Sequence, residues 1–404
     1  MPQTEDIAPS YPIPRAAGCP LDPPPLLGEL RERRAVSRVT LWDGRTAWLV
    51  SRHEEVRQAL RDPRLSADVR HPSYPFFSQG QVATRTMLES FLRMDPPEHD
   101  RHRRMLTAEF RAARVEAMRP GVQKTVDRLL DEMVAAGPPA DFVTAFALPL
   151  PSLVICRLLG VPYADHGFFQ RCSAVAFDRE STAEEIRASR EELTDYLARL
   201  VASKAERPTD DLISRLVVDQ EATGNLTRRQ VVNLGLLLLV AGHETTANMT
   251  ALSVLSLLRH PGQLALLRGR PELIPGAVEE LLRLHSVAHN GLPRVAVEDV
   301  EIGGTTIPAG DPVLLSLTAA NHDPRAYDDP GRLDVQRTAR AHVAFGFGVH
   351  QCIGQPLARL ELRVALATVL RRLPQLRLVD ESLGNLGFRH SMTVFGLHNL
   401  PVAW

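Results

Sequence analysis

One long apolar stretch with a marked start and stop restricts the fold more than any other feature of the sequence. Thr227 stands three residues before Gln230, a capping-box pattern in which each side chain bonds the other's backbone N–H. An apolar run follows, continues past Gly242 and reaches about Arg259, where Pro261 stops it. A helix that long with so apolar a face must pass through the core. It is not a membrane span. Its most apolar part, Val231 to Ala241, contains Asn233 and falls far short of the roughly 20 residues that cross a bilayer.

Other helices gather around this one. Val115 to Ala136 places Met118, Val122, Val126, Leu129, Leu130 and Met133 on one face, and Ala183 to Ala205 reads as a further long helix ahead of Pro208. Shorter helices are expected at Arg52 to Leu60 and from Pro275 to Leu284, and a long one from Gln355 to Leu373. Strand character is confined to Arg38–Leu41 and Thr46–Val50 around the Asp43-Gly44 turn, and to Val295–Leu317 with turns at Gly303-Gly304 and Pro308-Ala309-Gly310. His71 to Gln81, with two prolines and several aromatics, reads as a loop. The proline-rich residues 1–25 predict an extended arm of low order. Residues 26–404 then form one mainly α domain with a small β-rich portion.

Composition narrows the function. With 404 residues, 44% hydrophobic and 24% charged, the chain has ample material for a core. A net charge of −1 gives no global reason to expect nucleic acid or an anionic membrane as partner. Cys19, Cys156, Cys172 and Cys352 are too few and too scattered for a disulfide framework or a Cys-x-x-Cys zinc site. The first nineteen residues lack the charged-then-apolar order of a signal peptide, so a cytoplasmic location is expected.

The sharpest chemical signal is Phe345-Gly346-Phe347-Gly348-Val349-His350-Gln351-Cys352-Ile353-Gly354. Its glycines permit a tight turn with positive φ. Cys352 stands just before a helix, where free N–H groups and the positive dipole end favour a thiolate. A thiolate held in a protected loop suits the axial ligation of an iron porphyrin. A plain buried cysteine is the alternative. A phosphate loop is a weak reading, because no lysine follows the glycines and the strand-loop-helix nucleotide pattern is not completed.

Phe345-Gly346-x-Gly348-x-His350-x-Cys352-x-Gly354 resembles the haem-binding signature of cytochromes P450, and the similarity extends over nearly the whole chain. The chain looks most similar to soluble actinobacterial members that hydroxylate sulfonylureas, vitamin D-type sterols and polyketides. The resemblance implies the P450 fold, haem b bound by Cys352 and lined by Phe345, Gly346 and Gly354, and a propionate contact for His350. It implies a monooxygenase that takes O2 and electrons from NAD(P)H through a reductase and a ferredoxin, working as a monomer.

Ala241-Gly242-His243-Glu244-Thr245-Thr246 interrupts the apolar helix, and mid-helix glycine costs about 1 kcal/mol relative to alanine. The segment resembles the P450 oxygen-activation motif. On that reading Ala241 and Gly242 open the helix against the flat cofactor, and Glu244 and Thr245 relay protons to bound oxygen. On the structural alternative, Glu244 bonds its own backbone and Thr245 bonds a carbonyl one turn earlier. A zinc-protease helix fails, since the second histidine would fall at Ala247.

Glu280 and Arg283 share a helix face, which by itself suggests a solvated pair. The resemblance makes them a buried scaffold joined by Arg337. His99 and Arg103, four apart, read alone as a surface basic patch. Beside haem they suit a propionate clamp, and the resemblance adds Arg294. Arg101, Arg104, Arg359 and Arg363 would present a positive face to an acidic ferredoxin, with a solvated helix face as the alternative. His322 stands where many relatives have arginine and receives no role.

The family's variable substrate regions map onto Phe76, Phe77, Val82, Met87 and Leu88 in the 71–92 segment and onto Leu238 before Ala241. They also map onto Val287 and Leu292, and onto Met392 and Val394. The lining is mostly apolar and predicts a medium or large, largely apolar natural product or xenobiotic. Two other readings differ in chemistry: a haem-thiolate enzyme driven by peroxide or catalysing dehydration, and a haem-dependent sensor that binds without turnover.

Overall fold

The computed structural model describes residues 8–16, 18–87 and 89–404. Its axis is the helix Arg228–Arg259. The capping box forms as expected: Gln230 N donates to Thr227 Oγ1 at 3.3 Å and Thr227 N to Gln230 Oε1 at 2.9 Å. Around it pack the helices Pro149–Leu159, Ala183–Glu206 and Gln355–Arg372. Leu252, Leu255, Leu366 and Val369 are buried in the shared core, so most of this helix is stabilised by burial on every side. No helix among the described residues is long and apolar enough to cross a membrane.

The main sheet has five strands in the order Val36–Thr40, Thr46–Val50, Pro312–Leu315, Leu292–Ala296, Leu65–Ser66. Thr46–Val50 pairs with Pro312–Leu315 in parallel, with Trp48 opposite Val313. Arg294 sits opposite Val313 on the other side of that strand and is buried. Gly303-Gly304 closes the hairpin Val300–Ile302 to Thr305–Ile307, both glycines having positive φ.

Three expectations need correction. The helix predicted over 115–136 is broken at Met118, into Ala112–Ala117 and Arg119–Ala136. Pro120 has no N–H to continue the first helix but suits the opening turn of a second. The 71–81 loop ends early, because Ser78 caps a short helix, Gln79–Ala83. The N-terminal arm is also anchored. Ser10 pairs with Thr40, and buried Tyr11 donates from its hydroxyl to Asn290 O at 2.9 Å.

Candidate functional site

The cysteine loop is held by several constraints at once. Gly346 and Gly348 have φ of 68° and 71°, and a Cβ on Gly348 would meet Leu60 O at 2.5 Å. Cys352 N donates to Phe345 O at 2.8 Å and closes the turn. Each phenylalanine of the loop lies under a guanidinium: Phe345 under Arg359 at 4.6 Å, Phe347 under Arg57 and Arg61 at 4.5 and 4.2 Å.

Cys352 lies deep in the protein, and burial pushes its thiol above the usual range. The Gly354 and Gln355 N–H groups and the cations Arg103 and Arg359 oppose that effect without overcoming it. The N–H groups at the helix start thus act in the expected direction, toward the thiolate. A bound cation is what would ionise this sulfur. Cys352 nonetheless keeps exposed surface, as does Ala241 midway along the core helix. Exposed surface at such depth belongs to an internal hollow.

The hollow's face on the long helix runs through Leu237, Ala241 and Thr245, spaced by four and each more accessible than its buried neighbours Leu238, Leu239 and His243. Leu238, expected to line the pocket, is 6% exposed and belongs to the core, whereas Leu237 keeps partial exposure. Gly242 also meets a neighbour closely: a Cβ there would lie 3.0 Å from Ile155 Cδ1 and Cγ1, so this glycine admits the helix Pro149–Leu159.

Thr245 and Glu244 point differently. Thr245 Oγ1 donates to Ala241 O at 3.0 Å, the back-bond of the structural alternative. Glu244 is 3% exposed, and its Oε2 accepts from Arg389 Nη1 at 2.5 Å in a buried ion pair. Asn248 Nδ2 donates to Glu244 O at 2.8 Å. Arg389 was not foreseen. It lies 145 residues from its partner, with no motif to mark it.

Glu280, Arg283 and Arg337 come together as expected. Arg283 donates from Nε and Nη2 to the two Glu280 oxygens at 2.7 and 2.8 Å, and Arg337 Nε donates to Glu280 Oε1 at 3.0 Å. Arg283 Nη1 reaches Asn321 O and Pro330 O, both at 2.8 Å. By contrast, Arg359 and Arg363 are not free surface cations. Both pair with Glu279, which also meets His342. Of the proposed positive face, Arg101 and Arg104 remain exposed.

A second group of donors converges near the loop. His99 is fully buried, with its ring 4.3 Å from that of His350, and neither His99 Nε2 nor His350 Nδ1 has a partner among the described residues. His350 is pushed down to about 3, by burial first and then by Arg294, His99 and Arg103. Arg294 is 6% exposed and among the described residues donates to the neighbouring Pro293 O at 2.8 Å; burial lowers it. Arg103, half-buried, is lowered by burial while the Cys352 charge acts to raise it. Unpartnered buried donors and cations are costly unless an anion joins them. This set fits the carboxylates of a porphyrin beside a thiol ligand.

The expected apolar lining divides. Phe76, Met392 and Val394 are buried in packing, and Phe77 packs on Tyr11 at 6.4 Å. Val82, Met87, Val287 and Leu292 keep partial exposure, and Leu292 Cδ1 approaches Gly346. Leu88 lies outside the described residues. A cavity of about 430 Å³ opens between 68–98 and the start of the long helix, lined by Val69, Met94 and Leu234 together with Arg85, Glu89 and His102.

Residues 271–378 match the family model for cytochrome P450. The chain is 56% identical to cytochrome P450-SU2 of Streptomyces griseolus over 98% of this chain and 97% of that one. It is 47% identical to a vitamin D3 dihydroxylase of the same organism over 100% and 98%. The crystal structure of the mycinamicin VIII C21 methyl hydroxylase of Micromonospora griseorubida, bound to mycinamicin VIII, matches with a TM-score of 0.92 at 43% identity. That match covers 98% of this chain and 100% of that one. With identity sustained over the full length, and a cysteine loop and donor set suited to haem, the chain belongs to the cytochrome P450 family.

Proposed function

We propose that this monooxygenase hydroxylates or epoxidises a medium-to-large, largely apolar natural product or xenobiotic, with electrons passed from NAD(P)H through a reductase and a ferredoxin. As a cytochrome P450 it uses haem b, which supplies an iron centre that binds and activates O2. Cys352 would hold the iron, and His99, His350, Arg294 and Arg103 would meet the propionates. Each turnover joins one C–H bond, one O2, two electrons and two protons into an alcohol and water. Thr245, on the same helix face as Ala241, is placed to orient a proton toward oxygen; Glu244 is the nearby carboxylate that could supply it.

The observation that carries this reading is the pairing of a deep, accessible Cys352 with buried donors that lack partners. The substrate class is supported by relatives whose names specify vitamin D3, pentalenic acid and mycinamicin VIII. It is also supported by the apolar residues Leu237, Val287 and Leu292, which retain exposure. The exposed Arg101 and Arg104 support an acidic electron donor on the cysteine side.

Two measurements test the proposal. The reduced-CO absorption of the thiolate centre should vanish in Cys352→Ala, and an unchanged spectrum would overturn the ligand assignment. Titrating the ferric protein with vitamin D3, mycinamicin VIII and pentalenic acid precursors should give a low-to-high-spin shift with at least one. Turnover with peroxide but none with ferredoxin would overturn the electron route, and binding without turnover would make the protein a sensor.

A further inference from the structure

Glu244 and Thr245 are neighbours in sequence, but consecutive helix residues do not share a face. Thr245 lies on the accessible stripe with Leu237 and Ala241, whereas Glu244 is buried against the C-terminal segment 387–398. That segment is a hairpin-like excursion, bridged at Phe388 and Leu397. Its two legs both grip the same helical turn. Arg389 pairs with the Glu244 carboxylate at 2.5 Å, and Leu397 N donates to Asn248 Oδ1 at 3.2 Å. Gly396 is there because nothing larger fits: a Cβ would lie 1.7 Å from Asn248 Oδ1.

The tip of the excursion is tied to the end of the helix His166–Phe177 and the residues after it. Met392 bridges Asp178, Thr393 N donates to Phe177 O at 2.8 Å, and Arg179 Nε donates to Ser391 O at 2.8 Å. Phe395 N donates to Val287 O at 2.8 Å, and Val287 keeps partial exposure. One short segment thus connects residues 177–179 and Val287 with the Glu244 carboxylate.

We propose that Arg389 is a positioning residue that restrains Glu244, holding its carboxylate off the Thr245 face until movement of the 387–398 segment releases it. This rests on the reading of Glu244 as a proton source. Glu244 is held on the buried side of the helix by a bond that belongs to the 387–398 segment. Movement of that segment and proton delivery are then linked through one ion pair. Other charges nearby are few: His243 Nε2 lies 3.9 Å from Glu244 Oε1, and His398 is lowered by burial and by Arg389.

The test uses the holoenzyme with NADPH, a plant-type ferredoxin and its reductase, and O2 as the only acceptor. Oxygen is then reduced either to H2O2 with two electrons and two protons or to two waters with four of each. O2 consumption, peroxide per O2 and the solvent isotope effect are read for the parent, Glu244→Gln, Arg389→Met, Arg389→Lys and the Glu244→Gln/Arg389→Met double variant. Each is first checked for its reduced-CO spectrum.

A restraint predicts opposite signs. Glu244→Gln slows O2 consumption and raises the peroxide share. Arg389→Met speeds consumption about threefold with a smaller isotope effect, Arg389→Lys resembles the parent, and the gain disappears in the double variant. A purely structural Arg389 would make its loss slow the reaction, or act equally with Gln at 244; either result overturns the proposal. If Glu244→Gln alone changes nothing, the proton-source reading falls and takes this proposal with it. An independent readout is the infrared carboxylate band of ¹³C-glutamate-labelled ferric protein, assigned by its loss in Glu244→Gln. That band should move in Arg389→Met, and a band that stays in place would show that no such ion pair exists in solution.

Discussion

At the scale of single residues, the site depends on groups whose partners decide their behaviour. Thr245 donates to Ala241 O, so its hydroxyl has a resting partner one turn back and must turn from it to serve oxygen. Thr245→Ala removes that hydroxyl and should divert reducing equivalents into peroxide several-fold, read as peroxide formed per NADPH consumed. Full coupling in this variant would remove Thr245 from the relay. Arg283 makes four bonds in a site with no solvent access. Replacing it with methionine leaves Glu280 charged and buried, a defect of about 3–5 kcal/mol. The expected outcome is a much lower urea midpoint and little holoprotein. A midpoint near that of the parent would mean that Arg337 alone suffices for Glu280.

At the scale of elements, the long helix combines two demands. Its ends follow local rules, and the Thr227 box forms where the sequence places it. Its middle is shaped by neighbours. Gly242 meets Ile155 of the Pro149–Leu159 helix closely enough that a branched side chain would overpack the contact. Gly242→Leu should destabilise by about 1–3 kcal/mol. Much of that loss should return when Ile155→Ala opens space, as measured by denaturant midpoints of the four proteins in the cycle. Equal losses in both backgrounds would show that the strain lies elsewhere. The same logic separates Leu237 from Leu238. The apolar pattern cannot tell which leucine meets core and which meets the hollow, because the helix is covered nearly all round.

At the scale of the whole molecule, much of the acid sensitivity comes from histidines enclosed when the layers close. His285, His289 and His322 are each pushed down to about 3, burial being the largest cause. An unfolded chain takes up protons on these rings near 6.5. Their neutral burial therefore supports the fold fully above that pH, and the support is lost as pH falls from about 6.5 toward 3. Glu279 adds a second phase. Burial alone would raise it, but His342 and Arg359 prevail and lower it to about 2. Its contribution is present above about 4.5 and lost below, toward 2. Denaturant midpoints should fall between pH 7 and 5 and more steeply below 4.5, and a flat profile down to pH 4 would contradict this account.

How much was legible in the sequence follows from the range of the forces involved. The cysteine loop, the capped helix, the hairpin glycines and the Glu280–Arg283 pair are each specified within about ten residues, by φ angles, cap bonds and helical spacing. Those rules act before the chain has collapsed, so they can be read without a structure. The burial of Phe76 and Leu238, the consumption of Arg359 and Arg363 by Glu279, and the Arg389–Glu244 pair depend on segments far apart in the chain. Residue type and spacing carry no trace of such partners. The sequence by itself determined the cysteine loop and the long capped helix. Only the tertiary structure decided which charges are neutralised and which side chains remain open, because desolvation is set by everything packed around a group.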